Sequence, residues 1–205
     1  MGLVIFGAVT LYLIISLTVV LFAARTAKKS GKSPWRWGGV AAVVMYLLVF
    51  WDHMPTVLVH KYYCEKESGF WAYKSIEKWT TENPEVMKTL VPVKKGGVSR
   101  NGDMRNYVDT YSLNQRFNWV IKKNGPLFIN RWRHEQEVVD TKTGEVLARY
   151  IDFSTGYGEL AVGGTDWRIV KFWLRDDHCS NGALYRDKTE LIVQHATDPL
   201  GRNKK

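Results

Sequence analysis

Charge is missing from the start of this chain. Leu3 to Ala24 is 22 residues without a charged side chain. That excludes an ordinary surface helix, which needs a polar face, and a helix spans a roughly 30 Å hydrocarbon core with about 20 apolar residues. Acidic residues are missing from the next stretch, where Arg25, Lys28, Lys29, Lys32 and Arg36 stand alone. Cysteine is scarce: there are two, Cys64 and Cys179, too few for a disulfide-framework miniprotein or a four-cysteine zinc site. Several catalytic signatures are missing as well. There is no GxSxG, no HExxH and no phosphate-binding loop, and the glycines near Tyr157-Gly158 and Gly163-Gly164 do not form GxGxxG.

A second uncharged run, Gly38 to Phe50, continues past a polar break into Met54 to Val59. The two runs predict a transmembrane hairpin over residues 1–59, with helices at about 3–24 and 36–58 and a loop over 25–35. Basic residues beside membrane helices stay on the cytoplasmic side, so the loop is expected inside and both termini outside. A cleaved signal peptide would carry its positive charges before a shorter apolar stretch; here they follow a longer one. Asp52 and His53, flanked by Trp51, are expected at the outer face of the bilayer as a polar pair marking the interface. Pro55 is placed to kink or end the second helix.

Residues 60–205 are enough for one domain with its own core. The net charge of +9 divides into +4 for the first 59 residues and +5 for the rest. A mild, dispersed excess of this kind suits a domain beside an anionic membrane. It gives no reason to expect nucleic acid. Outside the cytoplasm Cys64 and Cys179 are expected to pair as a disulfide, tying the segment after the membrane to the end of the domain. A metal or redox site is the weaker alternative: His60 and His178 are nearby in sequence, but no CxxC supports it. No metal and no cofactor is expected.

The domain reads as α+β, helices first and an antiparallel meander of four or five strands after. Residues 60–92 carry Tyr63, Phe70, Tyr73, Ile76 and Trp79 at loose helical spacing, broken at Ser68-Gly69. Asn83-Pro84 is a stop and restart, followed by a short helix to Leu90. Residues 94–102 read as loop. From Tyr107 the pattern turns to β. Phe117, Trp119 and Ile121 alternate with Asn118, Val120 and Lys122, Asn124-Gly125 reads as a turn, and Phe128, Trp132 and Val138 share a parity with Asn130, His134 and Gln136. Residues 140–145 read as a hairpin loop, Val146 to Phe153 as a strand, Ser154 to Gly164 as a long loop, and Trp167 to Leu174 as another strand. Leu184 to Ala196 fits a strand or a helix.

Alternation puts Arg131, Arg133 and Glu135 on one face of a strand and Trp132 and His134 on the other. The arginine pair is a possible grip on an anion or a partner. The plain alternative is a solvated sheet face. The tryptophans Trp119, Trp132, Trp167 and Trp173 fit core and cross-strand packing better than a ligand cleft. Catalytic residues are not assigned; should the domain be an enzyme, His134, Asp177, His178 and His195 are the groups to find together.

The stretches His60 to Phe70 and Asp140 to Tyr150 resemble segments of uncharacterised bacterial two-span inner-membrane proteins with a periplasmic domain. The resemblance implies a bacterial inner membrane with the C-terminal domain in the periplasm, and no activity. Three roles are compatible with that placement. The leading one is an interaction or accessory protein of the envelope, acting in assembly, regulation or exclusion, with the lipid bilayer and another envelope protein as partners. The others are a periplasmic enzyme and a sensor of a small ligand or lipid. The sequence leaves the oligomeric state open.

Overall fold

The structure, a computed structural model, describes residues 2–91, 97–103 and 105–156, with Lys171, Trp173, Leu174, His178, Cys179, Arg186, Asp187 and Val193. The chain forms two compact units. Residues 1–55 make up the first, together with Lys171, Trp173 and Leu174; the second begins at Thr56.

In the first unit, α1 (Gly2–Lys29) is built from Leu, Ile, Val and Ala without a proline. Its serine and threonine hydroxyls return to their own helix: Thr10 donates to the Phe6 carbonyl, Ser16 to Tyr12 and Thr18 to Ile14. Back-bonding of this kind satisfies polar groups where water is absent. Lys28 and Lys29 complement the C-terminal dipole, and Gly31, at φ +69°, turns the chain out of the helix. Phe6–Lys29 is long and apolar enough to cross a membrane, with none of its most apolar window buried.

Pro34 starts α2 (Pro34–Phe50), where its missing N–H costs nothing. Gly38 is buried against α1, its Cβ position 3.5 Å from Ala24 Cβ and 3.9 Å from Val20 Cγ1. Small residues permit this close helix approach. The Tyr12 hydroxyl donates to the Met45 carbonyl. The expected second helix over 36–58 is not continuous. It breaks at Trp51 and Asp52, and α3 (His53–Lys66) begins after them. Two features account for the break: Pro55 has no N–H to donate back, and Asp52 is held by side chains described below. Alone, α2 has 17 residues, short of a full span.

The second unit holds most of α3, the short helices α4 (Ile76–Glu82) and α5 (Pro84–Thr89), and a six-stranded antiparallel sheet. The strands are β1 (Gly69–Ala72), β2 (Val98–Gly102), β3 (Tyr107–Ser112), β4 (Phe117–Leu127), β5 (Arg131–Asp140) and β6 (Val146–Thr155), in the order β1-β6-β5-β4-β3-β2. The α+β class is therefore as read from the sequence, with strands in two unexpected places. β1 lies inside the stretch expected to be helical, starting where Ser68-Gly69 breaks the pattern. β2 lies inside the expected loop, paired to β3 from Val98↔Tyr111 to Gly102↔Tyr107.

The turn expected at Asn124-Gly125 is displaced. β4 continues through a bulge to Leu127, and Gly125 N–H donates to Asn106 Oδ1 at 2.8 Å instead of closing a hairpin. Residues 128–130 make the turn, so Phe128 sits at a loop rather than in a strand. The loop over 140–145 is as expected: Gly144 takes φ +73°, and its N–H donates to the Asp140 carbonyl at 2.8 Å. The loop expected from Ser154 begins later, because Ser154 and Thr155 continue β6; its residues 157–164, with Asp177 and His195, lie outside the described residues. Of the strand expected over Trp167 to Leu174, Lys171, Trp173 and Leu174 are described, and none of the three is in a strand. Of residues 184–196, Arg186, Asp187 and Val193 are described, and each is helical.

The main core joins Ile76, Trp79, Leu90, Leu113, Phe117, Val138 and Leu147. Trp79 and Phe117 stack edge to face at 4.7 Å. A second cluster, Ile151, Phe153 and Cys179 with Tyr63 and Cys64, surrounds the disulfide.

Candidate functional site

The register of β5 on β6 sets His134 opposite Asp152 and Trp132 opposite Ser154. Alternation then places all four on one sheet face. His134 Nε2 lies 2.8 Å from Ser154 Oγ. A backbone bridge pairs Ser154 with His178, and His178 Nδ1 lies 2.6 Å from Asp152 Oδ2. The two imidazole rings are 5.2 Å apart. Of the four side chains that an enzyme would have to gather, the two that are described therefore meet. Sequence reading missed Asp152 and Ser154. Their signal was the alternation Tyr150-Ile151-Asp152-Phe153-Ser154, in which two polar residues share a parity with Tyr150 while Ile151 and Phe153 take the other.

The disulfide positions this cluster. Cys64, on α3, and Cys179 are joined, with Cα atoms 5.3 Å apart across 115 residues. Cys179 N–H donates to Asp152 Oδ1 at 3.3 Å, and His178 is its neighbour. The carboxylate thus spans two consecutive residues held by one covalent bond. Asp152 on Nδ1 fixes the His178 tautomer with its proton there, the arrangement used to orient an imidazole base. Ser154 is buried, as is Asp152, whereas the His178 side chain is half exposed. The chemistry available is a hydroxyl beside one imidazole and a carboxylate behind another, in two separate pairs.

His60, Cys64 and Cys179 bring ligand-type atoms within 4.8 Å of one another, the one such group of three among the described residues. Zinc and other soft metals bind thiolates. The disulfide consumes both, leaving His60 Nε2 3.4 Å from Cys64 Sγ.

The other proposed contacts are committed internally. Arg131 is buried, its guanidinium 3.3 Å above the Tyr63 ring. Arg133 pairs with Glu135 at 2.9 Å. On the same face Lys122 and Arg149 both bind Glu137, at 2.5 Å each. Burial pushes the Glu137 carboxyl up, but those two cations outweigh it and hold the group below its usual range. The face is a charge network rather than an open pair of arginines.

Asp52 is not solvated at a helix end. It is 1 % exposed, with Lys171 Nζ at 2.5 Å and Trp173 Nε1 at 2.9 Å. His53 Nδ1 lies 2.8 Å from the Tyr46 hydroxyl. Asp52 therefore binds a distant segment of chain to the first unit, a pairing that no local pattern encodes.

No family model, no curated protein and no solved structure matches this chain.

Proposed function

We propose that this is a membrane-anchored accessory protein of the bacterial envelope, whose periplasmic domain binds another envelope protein. Insertion of α1 provides the anchor, and α2 with the start of α3 completes the return through the bilayer. A disulfide-closed domain suits an oxidising compartment. The observation that carries the interaction reading is β2. It ends the sheet, every one of its residues is exposed, and among the described residues it pairs with β3 alone. An edge of this kind offers backbone N–H and C=O groups to an added strand.

Two experiments test the reading. An impermeant thiol reagent on intact cells should label Cys64 and Cys179 only after reduction; labelling only after lysis would place the domain in the cytoplasm. A photoreactive residue at Ser99 should give a protein adduct in cells that Asn101→Pro abolishes. Absence of any adduct at Ser99 sinks the strand-addition role.

One observation favours a second reading, a membrane-anchored hydrolase: the Ser154–His134 contact beside Asp152–His178. Ser154 would be the nucleophile and His134 its base. A fluorophosphonate probe should then label the wild type but not Ser154→Ala, with His134→Gln strongly slowed. An unlabelled wild type removes this reading.

A further inference from the structure

The end of β4 and the first two residues of the turn after it are apolar where turns are ordinarily polar. Pro126-Leu127-Phe128-Ile129 holds no charge, and Phe128 is 78 % exposed. Ile129 and Asn130 adopt φ +56° and +53°. A β-branched residue rarely takes that conformation, and such strain persists where surrounding contacts enforce it, often at binding sites. The contact here is specific. Asn130 Nδ2 donates to Thr56 Oγ1 at 3.2 Å, and Thr56 is buried. Immediately after Thr56 come Val57 and Leu58, 50 % and 63 % exposed. The bond thus unites two uncharged segments, 126–129 and 54–59, each displaying large apolar side chains.

We infer that the β4–β5 turn, with Val57 and Leu58, seats in the lipid interface of the bilayer that holds α1. This rests on the proposed reading that the chain re-enters the membrane through α2. The occupant follows from chain continuity. Val57 is seven residues beyond Phe50, the last residue of apolar α2. At no more than about 3.5 Å per residue, that tether is under about 25 Å. A protein partner would more often meet polar residues among the apolar ones, since interfaces carry a polar rim. Here an aromatic and three aliphatic side chains, Leu127, Ile129 and Leu58, are what the headgroup boundary accepts.

The test is photocrosslinking of the full chain in bilayers of phosphatidylethanolamine and phosphatidylglycerol. Benzoylphenylalanine replaces Phe128 in one variant, Leu58 in a second, Leu11 of α1 in a third and Lys142 of the β5–β6 loop in a fourth. Lipid adducts at 128, 58 and 11, but not at 142, are the expected result. An adduct at 11 alone overturns the inference and leaves the anchor intact. No adduct at any position overturns the membrane reading itself, and the inference with it. Lipid adducts at all four, or a protein adduct in place of lipid at 128, also overturn it.

Discussion

Asp140 is the most demanding single residue of the second unit. Its carboxylate is fully buried. Arg116 Nε lies 2.6 Å from Oδ1, Trp79 Nε1 donates to Oδ2 at 3.0 Å, and the Lys142 and Thr143 N–H groups donate to Oδ1 at 2.9 and 3.3 Å. One side chain thereby joins α4, the loop before β4 and the β5–β6 turn. Burial pushes its pKa up, but the bonds from Arg116, Trp79 and the turn amides outweigh that and hold it below the usual carboxylate value. Asp140→Asn keeps the volume and an acceptor but leaves Arg116 as a buried cation without its anion. Breaking a buried pair from one side costs about 3–5 kcal/mol. Each kcal/mol lowers the midpoint of a domain of this size by roughly 2–4 °C. The expected fall is then about 6–20 °C, read by near-UV circular dichroism of the full chain in detergent. The sign of the pH effect follows from the lowered pKa. The stabilisation is complete above the unfolded value, about 3.9, and is lost as pH falls through the folded one. The gap between wild type and variant should accordingly close in acid and stay constant at neutral pH. A variant within about 1 kcal/mol of wild type, or a gap that widens in acid, would refute the reasoning. Trp79→Phe removes the indole N–H that donates to this carboxylate, worth about 1.5–3 kcal/mol for a bond to a charged group, and leaves a gap in the core that adds to the loss.

Reducing the Cys64–Cys179 bond should destabilise the domain by up to about 4–5 kcal/mol on the chain-entropy estimate, measured as the thermal midpoint with and without reductant. Gly102→Ala should cost about 1–3 kcal/mol or more, because its Cβ would lie 2.1 Å from the Asn106 carbonyl oxygen at φ +117°; Gly97→Ala, with open space around it, should be near neutral in the same melt. Lys171→Met strands the Asp52 carboxylate and should cost about 3–5 kcal/mol, with the added change Asp52→Asn restoring part of it; equal midpoints for the single and double variants would show that the pair is not coupled. Arg100 grips Asp109 through Nε at 2.7 Å and Nη2 at 2.6 Å, a pairing that holds the carboxyl below its usual value. Asp109 should therefore titrate at lower pH than exposed aspartates by NMR, and Arg100→Gln should move it upward, since burial then acts unopposed.

Sequence patterning alone determined the features that depend on composition and short periods. The uncharged run of α1, the basic loop after it, the α-then-β order and the Asp140 to Glu145 turn all follow from local rules of burial and backbone conformation. The opposite faces of Arg131 and His134 follow from the two-residue period of a strand. What the tertiary structure decided depends on partners far away in the chain. β1 and β2 are short and weakly patterned, so pairing with β6 and β3 makes them strands. Asn124-Gly125 has ideal turn chemistry, yet Asn106 captures the Gly125 N–H from 19 residues away and shifts the turn to Phe128. Asp52 reads from the sequence as a polar marker of the membrane interface, and its enclosure by Lys171 and Trp173 comes from a distant segment. The meeting of His134 with Ser154, and of Asp152 with His178, required the β5–β6 register and a disulfide spanning 115 residues. Register and long-range closure are set by the sum of many contacts, and no window of neighbouring residues contains that sum.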